Sequence, residues 1–136
     1  MNSIRLASLL LMLLLASCAV LRPTPVISEN PAVLGLLEQA HADGAENKLQ
    51  SAVAGIERAL RIEPRNPWLW QELARLHLAQ GDHAQAESMA ARSNSWAGSD
   101  AALRAANWRI IAAARSARGD VDGAQVATTR AAELER

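Results

Sequence analysis

The chain has 136 residues with 14 basic and 14 acidic side chains, so it holds one domain and offers no charge surplus for nucleic acid or a polybasic membrane patch. Twenty-nine alanines favour helix and close helix approach, while four tryptophans and the lack of Phe and Tyr leave the core to Leu, Ile and Trp.

A short positively charged start, Met1 to Arg5, precedes an apolar run from Leu6 to Leu15. That run is too short to span a bilayer but suits the core of a signal peptide. Leu15-Ala16-Ser17-Cys18 follows, an aliphatic residue and two small ones before a cysteine. The arrangement resembles the lipobox of bacterial lipoprotein precursors. It implies a signal peptide over 1–17 and a Cys18 that carries acyl chains of the palmitate type, holding the protein at a membrane. An acylated Cys18 is unavailable as nucleophile, metal ligand or disulfide partner. Ala19 then takes the second mature position, where an Asp is associated with inner-membrane retention. This implies the periplasmic face of the outer membrane. Residues 18–30 read as the lipidated Cys and a tether, because Pro23 and Pro25 favour extended backbone. About 12 tether residues reach at most about 40 Å.

The repeat domain is expected over 31–136. Its first copy shows its tail best, in Ala52, Ile56, Ala59, Leu60 and Pro64, and lacks a Gly at the expected turn. Asp43-Gly44 is the predicted substitute. The next helix starts at Asn66-Pro67, a cap residue followed by a proline suited to the first turn. Trp70-x2-Leu73-Ala74, ending in Gln80-Gly81-Asp82-x3-Ala86, recurs 38 residues later as Trp108-x2-Ile111-Ala112, ending in Arg118-Gly119-Asp120-x3-Ala124. Gly81 and Gly119 can close helices in the left-handed conformation, Asp82 and Asp120 open the next ones, and Ser99-Asp100 starts the third pair.

Trp70, Leu73, Ala74, Gly81, Ala86 and Ala90, then Trp108, Ile111, Ala112, Gly119, Ala124 and Ala131, resemble the patterned positions of the tetratricopeptide repeat. The resemblance implies an all-α fold, an antiparallel helix-turn-helix solenoid of about three repeats and six helices. His77 and Arg115 stand where the pattern has an aromatic. The 38-residue spacing exceeds the usual 34 by four, which places an insertion near Arg92 to Gly98.

Catalytic signatures are missing. His41, His77 and His83 lack metal-binding spacing, and no nucleophile elbow, phosphate loop or dinucleotide fingerprint occurs. The expectation is a binding protein, not an enzyme, without metal or cofactor. In tetratricopeptide repeats the first helix of each pair lines a concave groove. The resemblance assigns Trp68, Gln71, Arg75 and Leu78 of the second copy to that groove, with Arg109, Ala113 and Ser116 of the third. Trp70 and Trp108 belong to the core pattern, whereas Trp68 has no duty in it and suits a binding hot spot. Trp96 is either a plug for the lengthened turn or a presented contact.

Asn66-Pro67-x-Leu69-Trp70-x2-Leu73-Ala74, Arg92-Ser93-Asn94 and Asn107-Trp108-Arg109-Ile110-Ile111 are similar to the LpoP-type lipoproteins. Those are small outer-membrane tetratricopeptide proteins that stimulate a bifunctional class A penicillin-binding protein, the peptidoglycan synthase. The resemblance implies this protein partner and a role in cell-wall synthesis. The alternative is a periplasmic scaffold or adaptor for an outer-membrane assembly or secretion complex.

Overall fold

The computed structural model describes residues 25–136, so the expected signal peptide and Cys18 lie outside the described residues. Six α-helices follow one another: α1 Pro31–Ala45, α2 Leu49–Ile62, α3 Pro67–Gln80, α4 His83–Trp96, α5 Ala101–Ala117 and α6 Val121–Leu134. Consecutive helices pack as three hairpins, α2 lies against α3, α4 lies against α5, and α3 also touches α5. That is the expected solenoid.

Polar side chains set most helix starts. Asn30, Asn66, Asp82, Asp100 and Asp120 each accept a backbone N–H from the first turn of the helix that follows. Such a cap satisfies an otherwise orphaned donor and contributes about 1 kcal/mol. Gly81 and Gly119 both turn at φ +80°, where a side chain would be strained, and they end the first helices of the second and third hairpins.

The first hairpin departs from the reading. Gly44 stays inside α1, and the turn falls at Glu46–Asn47 with Asn47 at φ 59°. Asparagine tolerates the left-handed region because its short polar side chain bonds locally, so it stands in for the missing glycine. Asp43, buried at this turn, locks it by accepting from Ser51 Oγ at 2.6 Å and Gln39 Nε2 at 3.0 Å.

The insertion is also placed differently. Trp70 is the fourth residue of the 14-residue α3, whereas Trp108 is the eighth of the 17-residue α5. The four extra residues therefore form one added helical turn at the start of α5, and the α4–α5 connection stays short. Alanine and leucine at 101–103 are good helix formers, so added length there becomes helix.

Two buried clusters fill the solenoid. The first holds Val33, Leu37, Ile56, Leu60, Leu69 and Leu73 with small residues, and Trp70 packs on its edge. The second is largely alanine: Ala74, Ala86, Ala90, Ala114 and Ala127 surround Ile110 and Ile111, and Trp108 packs on its edge. Met89 touches both clusters and joins them. Of the expected positions in α6, Ala131 is buried and Ala124 is only half-buried, so Ala127 is the residue that meets the second cluster.

The chain before α1 is bonded to the domain. Ser28 Oγ donates to Glu63 Oε1 at 2.6 Å, and Asn66 Nδ2 donates to the Ile27 carbonyl at 2.7 Å. Ile27 also packs against the first cluster. The segment read as tether is thus part of the folded body from Ile27 onward.

Candidate partner-binding groove

The first helices of the second and third hairpins, α3 and α5, leave a cleft of about 410 Å³ between them. It is lined by Gln71, Arg75, Leu78 and Ala79 of α3 and by Ala106, Arg109 and Ile110 of α5. Four of the five expected contact residues, Gln71, Arg75, Leu78 and Arg109, therefore meet in one cleft. They converge because residues three and four apart share a helix face. A second cleft of about 370 Å³ continues the groove toward α1, and it shares Arg75 and Ala79 with the first. There His41 Nε2 lies 3.5 Å from Glu72.

The four residues are not equivalent. Arg75 is exposed and has no carboxylate partner among the described residues. Arg109 is exposed but paired with Glu135 at the end of α6. Leu78 is half-buried against the second cluster and, with Ile110, gives the cleft its apolar floor. Gln71 is buried, and its amide Nε2 donates to Asn107 Oδ1 at 3.1 Å. One N–H of its amide is thus engaged inside the fold. The groove offers a cation, Arg75, beside an apolar strip, chemistry that suits a carboxylate-bearing partner segment with aliphatic neighbours.

Trp68 is not in this cleft. It lies half-buried at the start of α3, outside both core clusters, over a separate hollow shared with Ile27, Pro64 and Arg65. Trp96, at the end of α4, is 43% exposed rather than folded in as a plug, with the Arg65 guanidinium 5.3 Å above its ring. Trp70, by contrast, is tied down: its Nε1 donates to the Pro64 carbonyl at 2.9 Å, and Arg92 stacks on its ring at 4.8 Å.

Behind the cleft lies a network that sequence reasoning missed. Asn107 Nδ2 donates to Ser93 Oγ at 2.7 Å and to Asn94 Oδ1 at 3.0 Å, while Ser93 Oγ donates to the Pro67 carbonyl at 2.7 Å. With Gln71, these side chains join α3, α4 and α5 through buried polar atoms that are satisfied by one another. The available signal was polar Ser93 and Asn107 at positions where helical register places core residues. Arg92-Ser93-Asn94 and Asn107, part of the family resemblance, thus have a structural use.

Arg115 shows what replaces one missing aromatic. Its Nε and Nη2 reach Glu87 Oε1 at 2.8 and 2.7 Å, its Nη1 donates to the Gly123 carbonyl at 3.3 Å, and Arg118 pairs with the same Glu87. A charged clamp across α4, α5 and α6 stands where a ring would pack. His77, the other replacement, has its Nδ1 3.9 Å from Asp82.

Among the described residues no group of His, Cys, Asp and Glu is placed to hold a metal, and no helix is long and apolar enough to cross a membrane. The Asp43 carboxyl is shifted by its surroundings. The hydrogen bond from Ser51 chiefly holds its carboxyl below the ordinary aspartate range against the opposing effect of burial, with Gln39 and Lys48 assisting.

Residues 36–107 match the family model described as Tetratricopeptide repeat. The globular C-terminal domain of P. aeruginosa LpoP is similar at 43% identity with a TM-score of 0.74, covering 76% of this chain and 98% of that one. The first tetratricopeptide domain of Spaghetti, in a structure with an HSP90 peptide SRMEEVD, is 22% identical with a TM-score of 0.70, covering 82% of this chain and 85% of that one. That likeness is one of fold alone. No curated protein matches the chain in sequence. Capped helix pairs, alanine-lined crossings, the family match and the likeness to the LpoP domain agree: the chain belongs to the tetratricopeptide-repeat family.

Proposed function

We propose that this is a lipoprotein of the outer membrane's periplasmic face that binds a bifunctional class A penicillin-binding protein through its repeat groove and stimulates peptidoglycan synthesis. The observation that carries the reading is the 43% identity extending over 98% of the LpoP domain, since agreement at that level reaches past the general repeat pattern. The sequence Leu15-Ala16-Ser17-Cys18 supports acylation of Cys18 after removal of residues 1–17, and Ala19 supports outer-membrane sorting.

Activation without chemistry of its own requires the domain to bind the synthase's active conformation more tightly than its resting one. Arg75 and the Leu78–Ile110 strip supply the contact, with Arg109 at its far edge. Reaction of purified synthase with lipid-linked precursor, with and without the lipoprotein, tests this directly. Faster glycan polymerisation is expected, and Arg75→Glu should remove most of the gain without altering the fold. An unchanged rate together with no binding discards the activator function. Intact-mass measurement of envelope-extracted protein should show a chain beginning at an acylated Cys18.

A further inference from the structure

We propose that the end of the domain at which the chain enters, bearing Val26, Ile62, Arg65, Trp68 and Trp96, rests on the lipid surface that holds Cys18. The proposal rests on the lipoprotein reading and goes beyond it, because an anchor alone does not fix how a domain is turned.

Antiparallel packing brings the start of α1, the α2–α3 turn and the end of α4 to one end of the solenoid. Exposed apolar residues gather there: Val26 is 76% exposed and Ile62 44%, beside the half-exposed Trp96. Trp68 and Ile27 share their hollow with Arg65, whose guanidinium also covers Trp96, so the two tryptophans flank one cation. Neither tryptophan belongs to a core cluster. Glu63 accepts from Ser28 and Asn66 within the fold, Asp100 caps α5, and the exposed Arg61 and Arg65 share this end with the exposed Glu29.

An indole beside a guanidinium is suited to a bilayer boundary. The ring takes up the region between headgroups and acyl chains, while the cation reaches lipid phosphate. The opposite end carries the exposed Val121 with Glu46, Asp82, Asp120 and Asp122 against Lys48 and Arg118, a net acidic edge that anionic lipid would repel.

Chain length identifies the occupant. Val26 is eight residues beyond Cys18, which allows at most about 28 Å of extended chain. Clasping of Ile27 and Ser28 to the domain gives the tether no further slack. The aromatic end is therefore always within a short distance of the bilayer, and contact with it needs no partner.

The test uses the full lipoprotein, with its own acyl chains, in vesicles of phosphatidylethanolamine and phosphatidylglycerol whose acyl chains carry bromine. Flotation reports anchoring, and loss of tryptophan emission reports ring contact with lipid. The expected result is flotation with quenching. Trp68→Phe and Trp96→Phe together should abolish most of that quenching, Arg65→Glu should weaken it, and Trp108→Phe should leave it intact. Flotation without quenching, or quenching indifferent to the two substitutions, overturns the membrane contact and leaves the lipoprotein reading standing. Failure to float removes both.

Discussion

The two halves of the solenoid reach the same shape by different packing. The first, around α1 to α3, is filled by branched aliphatic bulk, with Ile56 and Leu69 fully buried. Gly55 there lets α2 approach α1 so closely that a methyl at that position would meet the Ala40 Cβ at 3.3 Å. In the second, the crossings are lined by alanine, and α3, α4 and α5 are joined by Gln71, Ser93 and Asn107. Bulk resists truncation poorly but tolerates exchange of one aliphatic residue for another. Close crossing and hydrogen bonding specify one arrangement more strictly, because a larger side chain has no room and a lost partner leaves a buried polar atom unsatisfied.

Substitutions can separate these modes. Ile56→Ala should have the largest effect, about 2–5 kcal/mol from lost burial and the remaining cavity, measured by urea unfolding. In the second half, Ala86→Leu should cost about 1–3 kcal/mol by overpacking, whereas a first-half exchange such as Leu37→Met should stay below about 1.5 kcal/mol. Equal losses from those two would erase the contrast. Asn107→Ala strands the buried Gln71 amide and should cost about 1–3 kcal/mol, with the loss read as faster amide exchange where α3 meets α5. Ala124→Leu, at a half-buried position of α6, should change stability by no more than about 0.5 kcal/mol.

The mildest probe is acid. Asp43 is harder to protonate in the fold than in the unfolded chain, so the unfolded state takes up its proton first as the pH falls. Its contribution is present above the ordinary aspartate value of 3.8 and is lost as the pH falls through the lower folded value. Ser51→Ala removes the principal cause and should flatten that part of the pH–stability profile. A profile unchanged by Ser51→Ala would mean that the Asp43 lock contributes nothing to the first hairpin.

Local chemistry made the hairpins legible in the sequence. Asn66-Pro67, Gly81-Asp82, Asp100 and Gly119-Asp120 act through backbone atoms only a few residues away, so their effect depends little on distant packing. Asn47 was harder to foresee because asparagine can adopt the left-handed conformation without requiring it. The inserted turn of α5 was ambiguous for a related reason: four residues add equally well to a loop or a helix, and only the packed register decides.

The repeat resemblance assigned Gln71, Arg75, Leu78 and Arg109 to the groove, and these four line one cleft. It could not distinguish the buried Gln71 from the exposed Arg75, because that depends on how closely α5 covers α3. Trp68 lies instead over a hollow that Ile27, 41 residues away in sequence, helps to line. The Ser93–Asn107 bond likewise depends on two helices meeting, which no window of sequence contains.

The clasp at Ser28 and Asn66 gives the molecule a defined mechanical input. Tension applied to the chain ahead of Ile27 would not first peel α1 from its tip; it would arrive at the α2–α3 turn through the bonds of Ser28 to Glu63 and Asn66 to Ile27. Asn66 is also the residue whose side chain holds the first turn of α3, the helix that carries Arg75. Under the proposed anchoring, a stretched tether would load the root of α3 directly, so that distance from the membrane would act on the proposed binding surface.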